Sequence, residues 1–100
     1  MDLEAVSAAD FLPHRDTSFR VVGTDFDGLE VRLTDVDELP VQPNAPRPES
    51  FSLVFAGPGR PMLEQRTYRL AHPVIGELEI FLVPIGYSAE GGLLYEAVFN

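Results

Sequence analysis

From Thr17 to Leu70 the chain is written largely in period two. Apolar and polar residues alternate in short runs: Phe19 and Val21 about Arg20; Leu29, Val31 and Leu33 about Glu30 and Arg32; Phe51, Leu53 and Phe55 about Ser52; Tyr68 and Leu70 about Arg69. Such spacing puts one set of side chains on one face of an extended backbone, so each run predicts a half-buried strand. Turn residues separate them. Asp27-Gly28 predicts a two-residue type I′ hairpin turn, Gly57-Pro58-Gly59 stops the third run, and Pro73-Val74-Ile75-Gly76 turns the chain toward the fifth. The stretch 35–39 stays apolar at Val36 and Leu39, three apart, which predicts a bulge or the end of the second strand.

Helical signals are confined to the start. Ser7 followed by Asp10 is a capping-box pair, and Val6 with Phe11 a hydrophobic staple. Pro13 limits the helix to one or two turns, which pack Phe11 and Leu12 on the domain and plug an open end of the β structure. Pro40, Pro43, Pro46 and Pro48 deny backbone donors and make residues 40–50 the longest loop. Met62 and Leu63 tuck a second loop onto the core. The expected fold is all-β: a single small antiparallel barrel or sandwich of about six strands with one short N-terminal helix, one domain over residues 1–100.

The last two strands break the alternation. Leu78–Ile85 is apolar on both faces from Ile80 onward, and Leu93–Phe99 is apolar on both faces except at Glu96. An antiparallel strand with one wet face should alternate, so something must cover the second face. Two covers are open. One is internal, with the Ser7 helix and the Met62-Leu63 loop laid over the outside; the other is a second subunit. In the latter case Phe81, Val83, Ile85, Leu94 and Val98 form the interaction patch, with sheet edges available for strand addition.

Composition narrows the function classes. Seven arginines, no lysine and sixteen acids give a net charge of −9, which repels phosphate backbones and anionic bilayers. Neither nucleic acid nor membrane is expected as a partner. No stretch approaches the roughly 18 apolar residues of a membrane span, and Met1-Asp2-Leu3-Glu4 is acidic where a signal peptide is basic. The expected location is therefore cytoplasmic, with export by a dedicated system left open. Without cysteine there is no disulfide framework, thiolate metal site or thiol nucleophile.

No catalytic, cofactor-binding or metal-binding constellation is legible. Asp25, Asp27, Glu30, Asp35, Asp37 and Glu38 share one hairpin, but their spacing is not that of a calcium loop. His14 at a helix end and His72 before Pro73 occupy ordinary structural positions. Ser52 lies in no nucleophile elbow, and the prolines of Gly57-Pro58-Gly59-Arg60-Pro61 remove donors that a phosphate loop needs. Glu77 and Glu79 share a solvent face. An enzyme would need polar groups such as Ser52, Tyr68, Arg69, His72 and Glu96 to converge from separate strands.

Phe51-Ser52-Leu53-Val54-Phe55-Ala56-Gly57-Pro58, Thr67-Tyr68-Arg69-Leu70-Ala71-His72-Pro73, Leu78-Glu79-Ile80-Phe81-Leu82-Val83-Pro84-Ile85-Gly86 and Tyr95-Glu96-Ala97-Val98-Phe99-Asn100, together with Ala9-Asp10-Phe11, carry a resemblance. The chain resembles, over nearly its whole length, a family of short uncharacterised bacterial proteins, a domain of unknown function of about this length. Arg66 stands where that pattern has glycine. The resemblance implies a bacterial origin and an association with phage-tail-like or surface-fibre gene sets, and it carries over no catalytic residue. The expected function is a non-enzymatic structural or adaptor subunit that self-associates or docks into a larger assembly through the C-terminal hairpin and the chain ends, with protein as its partner and no cofactor. The alternatives are a small barrel that binds an apolar ligand inside, and an enzyme.

Overall fold

In the computed structural model, which describes residues 6–40 and 50–99, the four alternating runs and the two apolar runs that follow become six strands: β1 (Ser18–Val22), β2 (Glu30–Leu39), β3 (Ser50–Gly57), β4 (Arg66–His72), β5 (Gly76–Tyr87) and β6 (Leu93–Phe99). They close into an antiparallel barrel in the order β1-β2-β3-β6-β5-β4. Each strand pairs on both sides, so none is an edge strand, and the expectation of free sheet edges is corrected. The proline-rich segment 41–49, residues 1–5 and residue 100 lie outside the described residues.

Period-two alternation supplies the interior. Phe19, Val21, Val31, Leu33, Phe51, Leu53, Phe55, Tyr68, Leu70, Leu78, Ile80, Leu82, Leu93, Tyr95 and Ala97 are all buried. Each large side chain removed from water contributes about 1.5–3 kcal/mol, and a six-strand barrel is narrow enough for such chains to fill. Phe51 stacks on Phe99 at 4.7 Å, while Phe19 meets Phe55 edge-on at 5.3 Å.

Both mouths are plugged. The helix α1 (Ala8–Phe11) starts at Ser7, whose N–H donates to the Asp10 carboxylate at 2.8 Å, and a short 3-10 turn over Leu12–His14 follows where Pro13 ends α-helical bonding. Phe11 is fully buried, 5.9 Å from the Phe51 ring and 6.1 Å from Phe99. At the other mouth the Leu63 N–H donates to the Tyr95 hydroxyl at 2.9 Å, and the Tyr68 hydroxyl donates to the Glu64 carbonyl at 2.7 Å. Burial pushes both phenols above their usual pKa. Leu12 and Met62, expected to pack inward, are instead about half exposed, at 47% and 52%. The neighbouring Phe11 and Leu63 already occupy the two mouths.

Two local expectations are corrected by geometry. Asp27 does not take positive φ; the β1–β2 connection is a longer loop in which Gly23 and Gly28 do, and the Asp27 carboxylate accepts from the Gly23 N–H at 2.7 Å. The pairing of β2 with β3 shifts between Leu33 and Asp35, which leaves Thr34 as an extra residue, and the strand continues to Leu39. The bulge keeps Val36 rather than Asp35 opposite inward-facing Leu53. At the far mouth Gly57 and Gly92 let two backbones touch: a Cβ on Gly92 would sit 2.6 Å from the Gly57 carbonyl oxygen.

Candidate functional site

The outer face of β5, β6 and β3 is where an apolar surface meets solvent. Phe81, Ile85 and Val98 are 50%, 49% and 49% exposed, and Val83 and Leu94 are half-buried. The five residues singled out in the sequence therefore all lie outside the packed interior. Val83 on β5 and Val54 on β3 both pair with Glu96 of β6, so Val54, Glu96 and Val83 form one row across the face. Leu94 and Val98 flank Glu96 along β6, and Phe81 lies two residues beyond Val83. Pairing of β5 with β6 shifts between Pro84 and Gly86, which leaves Ile85 as the extra residue of a second bulge.

The internal cover proposed from sequence is corrected. Neither α1 nor the Met62-Leu63 loop lies over this face, because both insert their apolar residue into a barrel mouth. Sequence reading missed Val54, hidden in a run where Ser52 is the one polar residue, and Tyr87, which extends β5 at 69% exposure. Ser52, although on the outer side of β3, is buried.

The polar candidates do not converge. Tyr68 points inward at the mouth closed by Leu63, His72 lies at the other mouth, Arg69 stands on the outer face of β4, and only Ser52 and Glu96 are diagonal neighbours, on the outer sides of β3 and β6. His72 is held by both ring nitrogens. Its Nδ1 accepts from the Val74 and Ile75 N–H groups at 3.1 and 3.2 Å, so the proton sits on Nε2, 3.0 Å from the Thr17 hydroxyl, which in turn donates to the His14 carbonyl. Phe19 and His14 pack on the ring at 4.5 and 4.8 Å. Burial, and secondarily His14, holds the His72 pKa below its ordinary value. A ring with both nitrogens spent offers neither a base nor a metal ligand.

The acids have local roles. Arg69 lies 3.9 Å from Glu77 and 3.5 Å from Glu79, and Arg32 lies 3.3 Å from Asp16, all exposed. The Thr34 hydroxyl donates to Asp35 at 2.9 Å. Among the described residues no group of three or more histidines and acids gathers as a metal site. A shallow open depression of about 380 Å³ is lined by Ser18, Arg20, Glu30, Ala71, His72 and Pro73. No helix among the described residues is long and apolar enough to cross a membrane.

Fold and surface together define a small, closed antiparallel β-barrel with a packed interior and one apolar outer face. The chain belongs to the DUF6916 family, a domain of unknown function, whose model matches residues 6–99. No curated protein and no solved structure matches it.

Proposed function

We propose that this barrel is a non-enzymatic structural or adaptor subunit that docks other protein subunits, copies of itself included, through the outer face of β5 and β6. One observation carries the reading: the interior already holds a complete apolar set, yet Phe81, Ile85 and Val98 still place apolar surface in water on one contiguous face. The family resemblance supports a bacterial assembly of the tail-like or fibre kind as the setting, with synthesis in the cytoplasm. The ring-filled barrel axis argues against an apolar ligand inside. The dispersal of Ser52, Tyr68, Arg69, His72 and Glu96 argues against catalysis.

Sedimentation at high micromolar concentration tests this. The wild-type chain should associate weakly and reversibly, and Phe81→Asp should abolish association while leaving the β-sheet circular dichroism and melting midpoint intact. A strictly monomeric wild type that Phe81→Asp leaves unchanged would overturn the reading.

A further inference from the structure

The apolar face has one charge at its centre. Glu96 is half-buried, paired across the sheet with Val54 and Val83 and flanked along its own strand by Leu94 and Val98. Among the described residues its carboxylate has no hydrogen bond and no ion pair, whereas Glu77 and Glu79 share Arg69 and Asp16 has Arg32. No arginine occurs on β3, β5 or β6. Among the described residues the strands of this face therefore supply no cation with which to answer that charge.

Covering this face removes water from Glu96. A wholly apolar partner would leave an isolated carboxylate in a low-dielectric contact, which is strongly unfavourable. A second copy docked face to face about a two-fold axis is worse, because both Glu96 carboxylates enter one interface. A partner that brings a guanidinium or ammonium group to the centre of an apolar surface converts the same burial into a charge-assisted hydrogen bond. The net charge of −9 favours approach of such a partner over an acidic copy. We infer that the β5–β6 face takes a protein partner whose contacting surface is apolar around a single Arg or Lys, with Glu96 selecting that partner against other copies of the chain. The inference rests on the docking role proposed above and names the chemistry of the partner.

Two peptides separate the two statements. Acetyl-Leu-Val-Arg-Val-Leu-amide and its counterpart with neutral, isosteric citrulline at the centre are titrated into the ¹⁵N-labelled chain and followed by amide shifts. The arginine peptide should bind about tenfold or more tightly, the scale of a hydrogen bond to a charged group, with shifts centred on Val54, Val83, Leu94, Glu96 and Val98. Glu96→Gln should erase that preference and, in sedimentation, tighten self-association. Equal affinity for the two peptides, with Phe81→Asp weakening both, would overturn the choice of partner and leave the docking face standing. Binding that Phe81→Asp does not change, or no binding of either peptide, would overturn both.

Discussion

His72 shows how a residue with catalytic potential becomes a structural one. Its imidazole joins the β4–β5 turn, through Val74 and Ile75, to the segment between the N-terminal plug and β1, through Thr17. Protonation at Nδ1 would displace two backbone donors and place a charge against Phe19 and His14. Because the folded state holds the His72 pKa below 6.5, the unfolded chain takes up the proton first as pH falls. The stability from this group is present in full above pH 6.5 and is lost as pH falls through the folded-state value. Urea midpoints across that range should decline in the wild type. In His72→Phe the decline should be smaller, and stability at pH 8 should drop by about 1 kcal/mol because two part-buried N–H groups lose their acceptor. A long-range ¹⁵N spectrum showing the Nδ1–H tautomer would contradict the assignment.

At the scale of elements, strand identity was legible because period-two alternation reports directly on one-sided burial. The alternating runs about Phe19, Val31, Leu53 and Leu70 became strands, as did the runs about Ile80 and Tyr95 that are apolar on both faces. Irregularities were less legible. The apolar step from Leu33 to Val36 and the step from Val36 to Leu39 are each three residues, and only cross-strand pairing shows that the earlier one is absorbed by a bulge at Thr34. The Asp27-Gly28 signal marked the right place and the wrong turn, since the Asp27 side chain bonds back to Gly23 instead of adopting positive φ. Because Thr34 is the extra residue, its deletion should leave a regular β2–β3 ladder and a folded chain. Exchanging Asp35 and Val36 keeps composition and charge unchanged but puts a carboxylate opposite Leu53, and should cost about 1–3 kcal/mol in chemical denaturation. Equal stability of the exchanged variant and the wild type would refute the parity argument.

For the whole molecule, long-range repulsion and short-range apolar contact act in opposite senses. Copies that each carry −9 repel until salt screens them, while burial of Phe81, Ile85 and Val98 is insensitive to screening. Raising ionic strength from about 0.05 M to about 0.5 M should therefore tighten self-association measured by sedimentation. It should also shrink the advantage of the arginine peptide over the citrulline peptide. Salt that weakened self-association would show that ion pairs, not the apolar face, hold the copies together.

The alternation of apolar residues determined by itself that this chain is all-β and antiparallel, with one short capped helix, because facing and capping are local properties of the backbone. The excess apolar content of β5 and β6 likewise singled out Phe81, Val83, Ile85, Leu94 and Val98, which the structure places outside the packed interior. Only the tertiary structure decided that the sheet closes and that Phe11 and Leu63 go into its mouths instead of over its outer wall. It also decided that Val54 of β3 joins Val83 around Glu96. Those are pairings between residues far apart in the chain, set by strand order and register, and no local pattern encodes them.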